Sequence, residues 1–203
     1  MITPKVVVFD LGKVLLDFDF GIVAPKIAAR GKISAAQVQK LIDQSPLLFR
    51  FETGLMTKEE FYQAICKETG YEGSFEEFSD VFGDIFKPIV PMLELQRTLR
   101  KQGIPTYVFS NTNDLAIPFI RRRYPFFSDF DGYIFSYEHG SMKPDAKLYE
   151  VVERVTGRHG PEIIYVDDRA ENIAAGAARG WQVILQETPE KTRAALRAVG
   201  LAD

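Results

Sequence analysis

The chain has 203 residues, a formal net charge of −3, a hydrophobic fraction of 46% and a charged fraction of 26%. This is enough for one large domain, or for a core domain with a smaller insert, at an ordinary globular composition. It offers no electrostatic case for binding nucleic acid or an anionic membrane surface, and no apolar run approaches the roughly 20 residues of a membrane span.

In chain order, Met1-Ile2-Thr3-Pro4-Lys5 leads into the apolar run Val6-Val7-Val8-Phe9, which meets Asp10. The run is too short for a signal h-region and has no small-residue cleavage site. It reads as a strand covered on both faces. From residue 16 to 90 no convincing strand follows. Three helix starts there carry the capping-box pattern: Ser34 with Gln37, Thr57 with Glu60, and Ser74 with Glu77. Phe61, Ala64 and Ile65, and then Phe75, Phe78 and Phe82, recur at helical spacing and read as core-facing stripes. Cys66, the only cysteine, reads as a packed helix residue; its lack of a disulfide partner fits a reducing compartment, so a cytoplasmic location is expected.

Pro91 suits a first helical position, and Gly103 stands where that helix should stop. Thr106-Tyr107-Val108-Phe109, Tyr133-Ile134-Phe135, Ile163-Ile164-Tyr165-Val166 and Val183-Ile184-Leu185 then read as buried strands. Helices lie between them: one bracketed by Pro144 and Gly157, another ended by Gly180. Arg121-Arg122-Arg123 reads as the solvated end of a helix. Strand–helix alternation of this kind predicts an α/β fold, a doubly wound parallel sheet, interrupted once by an all-helical insert. The boundaries implied are residues 1–15 and 91–203 for the sheet domain and 16–90 for the insert.

Ligands of open α/β sheets bind outside the carboxyl ends of the strands. The predicted strand ends deliver Asp10, then Ser110 with Asn111 and Thr112, then Asp167 and Asp168; Lys143 follows the third strand. Alone, each has a structural reading as a turn, a helix cap or surface. Together they place three carboxylates, a hydroxyl and an ammonium on one rim. Three clustered carboxylates call for raised pKa values or a cation, and hard oxygen ligands suit magnesium. A metal beside Lys143 and Ser110 leaves room for an anion, the pattern of phosphoryl transfer, with Asp10 able to form an acyl phosphate.

The series Phe9-Asp10-Leu11-Gly12-Lys13-Val14-Leu15, Phe109-Ser110-Asn111-Thr112, Lys143-Pro144 and Val166-Asp167-Asp168 resembles the four ordered motifs of haloacid dehalogenase-like hydrolases. The resemblance runs from residue 5 to about residue 186, and the helical insert is similar to the small cap of that superfamily's phosphatases. It implies a Rossmann-like core and a phosphatase that takes a small-molecule phosphate ester, as a monomer or homodimer. It also implies that Asp10 attacks phosphorus, that Ser110 and Lys143 hold the phosphoryl group, and that Asp10, Asp168 and the Gly12 carbonyl bind Mg2+ with Asp167 in support. Asn111 is expected to contact substrate with Gly12, and Asn172 to support the loop. From the residues alone, Arg50 and Phe51, read as lying between two cap helices, are candidates for holding the leaving group and excluding water.

One position departs from the family pattern. Its phosphatases carry a second Asp two residues after the nucleophile, the general acid and base; here Gly12 stands there. No carboxyl can protonate the leaving group from that position. The Asp-Leu-Gly-x-Val form resembles a subgroup that includes a glucose 1-phosphate phosphatase, so a sugar phosphate is a candidate substrate, and its acidic leaving group needs less protonation. Asp17 and Asp19 are the nearest alternative acids in sequence, and Lys13 is expected to point outward. Two rivals remain: a metal-independent haloacid dehalogenase, and a catalytically decayed binding module.

Overall fold

The computed structural model describes residues 3–43 and 45–201; the Met1-Ile2 end of the N-terminal run lies outside them. The chain opens with β1 (Val6–Phe9), then passes through β2 (Leu16–Phe18), α1 (Val23–Ala28), α2 (Ala35–Ile42), α3 (Pro46–Glu52), α4 (Lys58–Thr69), α5 (Phe75–Gly83) and β3 (Phe86–Pro88). It continues with α6 (Val90–Lys101), β4 (Thr106–Ser110), α7 (Ala116–Arg123), β5 (Gly132–Phe135), α8 (Ser136–His139) and α9 (Ala146–Thr156). The last elements are β6 (Ile163–Asp167), α10 (Ala170–Ala178), β7 (Gln182–Leu185) and α11 (Pro189–Ala198).

Five strands form one parallel sheet in the order β5-β4-β1-β6-β7, with β1 in the centre. Side chains alternate across a strand. Val7 and Phe9 of β1 therefore face one way, into a core shared with Leu95 and Leu99 of α6, Ile120 of α7 and Leu196 of α11. Val6 and Val8 face the other way, against Leu148, Tyr149 and Val152 of α9. Helices on both faces explain why the strand runs are continuously apolar, and the fold is the doubly wound α/β class expected.

A third apolar cluster lies wholly among the helices after β1, apart from Leu115. Phe61, Phe78 and Phe82 meet there, with Phe61 stacked on Phe51 at 4.4 Å between ring centroids. All three capping boxes form, at Ser34, Thr57 and Ser74. The stretch is not free of strands: β2 and β3 pair antiparallel, Leu16 opposite Pro88 and Phe18 opposite Phe86. These are the chain segments that leave and re-enter the sheet domain, and three-residue strands carry too little alternation to be read from sequence.

Among the described residues no helix is long and apolar enough to cross a membrane. Pro91 lies in the first turn of α6 and Gly103 follows it with φ +74°. Pro144 does not open α9: Asp145 caps that helix by accepting from the Lys147 amide at 2.9 Å. The three arginines end α7 as expected, with Arg122 paired to Asp80.

Candidate active site

The carboxyl ends of β1, β4 and β6 converge with the loop before α9. Asp10 is fixed through its backbone amide, which donates to the Val166 carbonyl at 2.9 Å. Its carboxylate accepts from the Leu11 amide at 2.7 Å and pairs with the Lys143 ammonium at 2.8 Å. The same ammonium donates to Asp167 at 2.7 Å and to the Phe109 carbonyl at 2.9 Å. Burial works against the charge on Lys143, but Asp10 and Asp167 outweigh it and hold its pKa above the ordinary lysine value. Burial also pushes the Asp10 carboxyl up to about 7; Lys143 opposes the rise, and Asp167 and Asp168 add to it. Asp168 is raised in the same way, first by burial and then by Asp167.

Asp10, Asp167 and Asp168 bring carboxylate oxygens within 4.8 Å of one another. Hard anionic oxygens this close fit a small divalent cation, whose charge would reverse the rise at Asp10. The three are not equivalent. Asp167 is fully buried and accepts from Lys143, the Tyr165 hydroxyl and the Arg169 amide, and both its oxygens accept from the Asn172 side-chain nitrogen. Burial raises its pKa, but these partners, led by Lys143, bring it below the usual carboxylate range. Its lone pairs are committed to the protein, which leaves Asp10 and Asp168 as the carboxylates with oxygens available to a cation. Asn172 is thus an orienting residue of the acidic loop, itself held where its carbonyl accepts from the Tyr149 hydroxyl at 2.8 Å.

Ser110, at the end of β4, is buried on the cavity wall. Asn111 lines the same cavity, and its side chain is also engaged within the protein. Its side-chain amide donates to the Lys143 carbonyl at 3.0 Å, and its oxygen accepts from the Lys143 amide at 2.8 Å. This two-way clamp positions Lys143.

A cavity of about 490 Å³ opens above these groups, roofed by the helical insert. From the insert side Phe18, Phe20, Leu48, Phe49, Phe82, Ile85 and Phe86 line it, with Asp43, Ser45 and Glu52. Arg50 and Phe51 are not among its walls. They sit inside α3, not between helices: Ser45 caps this helix and Pro46 begins it. Leu48 and Phe51 turn one face of α3 into the insert's core, so Phe51 packs on Phe61 and Arg50 is exposed to solvent. The positions at helical spacing from Ser45, namely Phe49 and Glu52, face the cavity instead.

Gly12 lies on the cavity floor, but its backbone is not left-handed; the positive φ, 58°, belongs to Lys13. A Cβ on Gly12 would stand 2.8 Å from the Phe18 ring. Lys13 bends towards β2, donating to Asp17 at 2.5 Å and to the Phe18 carbonyl at 2.8 Å. Lys13 draws the Asp17 carboxyl below its usual range, and Asp19 accepts from the Gly21 amide. Neither aspartate lines the cavity.

Tyr165, Asn113 and Ser136 complete the frame and were not foreseen. The Asn113 side-chain oxygen caps α7 by accepting from Leu115 and Ala116. Ser136 donates to the Thr112 carbonyl at 3.1 Å and to the Glu52 carbonyl at 2.5 Å, tying α3 to the rim. The alternation of polar Tyr165 with Asp167 on one strand was the available signal for the first; the others depend on contacts distant in sequence.

Comparison with known proteins agrees with this geometry. The family model for haloacid dehalogenase-like hydrolases matches residues 4–180. A sesquiterpene phosphatase of Aspergillus oryzae is 28% identical over 181 residues, 88% of this chain and 87% of that protein. A D-ribitol-5-phosphate phosphatase of Bacteroides thetaiotaomicron is 24% identical over 205 residues, 96% of this chain and 98% of that one. A haloacid dehalogenase-family enzyme of the same bacterium, solved with magnesium and inorganic phosphate, superposes with a TM-score of 0.79 at 21% identity, covering 90% of this chain and 93% of its own. With its four motif positions gathered on one rim and the family model spanning most of its length, the chain belongs to the haloacid dehalogenase-like hydrolases, on their phosphatase branch.

Proposed function

We propose that the chain is a magnesium-dependent phosphatase that hydrolyses a small phosphate ester through a phosphoaspartate on Asp10. The observation that carries this is the buried ammonium of Lys143 between Asp10 and Asp167, beside Asp168, at the floor of a closed-over cavity. In this reading residues 1–15 and 91–203 are the catalytic core and residues 16–90 a cap. Asp10 attacks phosphorus while Lys143 and the Ser110 hydroxyl hold the equatorial oxygens. Asn111, Tyr165 and Asn172 keep Lys143 and Asp167 in place. A magnesium ion held by Asp10, Asp168 and the Gly12 carbonyl would neutralise the phosphate charge and keep Asp10 ionised. The paired Asp167 and Asp168 favour this over the metal-free dehalogenase reading, and the intact rim favours it over a decayed module.

The aromatic walls contributed by the cap suit a leaving group with substantial apolar surface. Asp43, Glu52 and Asn113, on the same cavity, favour a second candidate, a polyol or sugar phosphate. A panel of prenyl, alkyl, aryl and sugar phosphates decides between them. Turnover should stop on chelation, and Asp168→Ala should remove both turnover and the thermal stabilisation by magnesium. Turnover that survives exhaustive chelation would overturn the metal-dependent reading.

A further inference from the structure

The family's usual acid is replaced by Gly12, and the space a side chain would fill there is taken by the Phe18 ring. A phosphatase acting on an alkyl ester still needs a proton for the departing alkoxide. Leaving and attacking oxygens stand in line across phosphorus. With Asp10 on the floor, the leaving oxygen points away from it into the cavity, so a replacement acid must line that cavity. Asp17 and Asp19 are occupied elsewhere and do not line the cavity. Among the described carboxylates that do line it, Asp10 and Asp168 belong to the floor, which leaves Asp43 and Glu52. Asp43 is exposed at the end of α2, whereas Glu52 is partly buried at the end of α3.

We infer that Glu52 is the general acid and base of this enzyme, delivered from the cap in place of the missing carboxyl at position 12. The inference rests on the phosphatase reading of the site. In the first step the Asp10 carboxylate forms a bond to phosphorus as the ester P–O bond breaks, and the departing oxygen takes the Glu52 proton to leave as an alcohol. In the second, Glu52 as carboxylate takes a proton from water while the water oxygen attacks phosphorus. The acyl-phosphate bond breaks, and Asp10, protonated Glu52 and inorganic phosphate result.

Three observations support the assignment. Glu52 is anchored through its backbone, where its carbonyl accepts from the Ser136 hydroxyl, and its side chain lines the cavity. Asn113, whose oxygen caps α7, lines the same cavity as Glu52. Burial is the main cause that lifts the Glu52 pKa to about 7; Asn113 and Arg169 act against the rise, and Asp10 adds to it. A carboxyl with that value holds a proton at neutral pH and can take one back. The charged groups of the packed helices are turned elsewhere: Lys58 of α4 pairs with Asp114, and Glu138 of α8 meets Tyr137.

The test compares Glu52→Gln with the native enzyme on an alkyl phosphate and on p-nitrophenyl phosphate, both with saturating magnesium. For the alkyl ester kcat should fall on the order of 10²–10⁴-fold, with KM little changed. On the aryl ester the first step should be nearly unaffected, read as the burst of nitrophenol. In the native enzyme the alkyl rate should decline with rising pH once Glu52 loses its proton, and the aryl burst should not. Equal losses on both esters, a change in KM alone, or a native alkyl rate that stays flat with rising pH would overturn the role of Glu52 while leaving the phosphatase standing. The native pH profile decides the matter even if the variant folds poorly. A native protein that cleaves neither ester would instead sink the phosphatase reading and this inference with it.

Discussion

Gly12 shows how one residue sets the chemistry of its neighbours. Its backbone is ordinary, so what limits a larger side chain is space: the Phe18 ring, 2.8 Å from where a Cβ would stand, is itself packed against Phe20 and Phe86. Gly12→Asp must push that ring aside, at a cost of about 1–3 kcal/mol. Because Glu52 already supplies a proton, the new carboxyl should bring no gain confined to alkyl esters. Denaturant unfolding and paired rates on alkyl and aryl phosphates check both statements; a gain on alkyl esters alone would mean the native site lacks an acid. The floor residues Asp10, Ser110, Lys143 and Asp168 were legible in the sequence because each directly follows or closely trails an apolar run whose end the fold exposes. Glu52 was not, because its setting is made by Asn113 and by Ser136, 84 positions away. Asn111 shows that a polar residue on such a rim can also serve another residue's backbone: it lines the cavity while its side-chain amide bonds both ways to Lys143.

At the scale of elements, α3 decides what the cap offers. The faces of a seven-residue helix do two jobs: Phe51 anchors it in the cap core, Leu48 packs there and also meets the cavity edge, and Phe49 and Glu52 reach the cavity. The Ser45-Pro46 pair, an N-cap followed by a proline suited to the first turn, announces this helix in the sequence. With the start fixed there, helical spacing alone moves Arg50 out of the site and Glu52 into it. The stacked ring of Phe61 holds α3 through Phe51 and meets Phe82 of α5 at 5.3 Å. Phe61→Ala should therefore cost about 3–5 kcal/mol. It should also lower turnover of alkyl esters more than of aryl ones, because Glu52 loses its support before the floor residues do. Thermal unfolding with the same pair of esters reads both effects. Equal rate losses would mean that α3 does not position the acid. The short strands β2 and β3, by contrast, left no mark in the sequence: each has three residues, and only their pairing across the insert makes them strands.

In the reading we propose, the molecule divides its labour between a sheet domain, whose motifs are spread over three strand ends and the loop before α9, and a cap that closes over them. The sheet domain was readable because its central strands β1, β4 and β6 are buried on both faces and residues such as Pro91, Gly103, Gly157 and Gly180 punctuate the helices between strands. The cap's helices were readable from their capping boxes, but its relation to the rim was not, since that depends on Phe18, Phe49 and Phe86 facing a cavity that exists only once both layers are folded. In the mechanism we propose, the covalent step at Asp10 unites the two layers. The protein should be mixed with a radiolabelled acyl phosphate and magnesium, quenched in acid within one turnover, and digested for peptide mapping. Label should appear on the peptide carrying Asp10, should be absent without magnesium, and should be absent in Asp10→Asn. Label on another residue, or undiminished turnover by Asp10→Asn, would contradict a phosphoaspartate mechanism at this site.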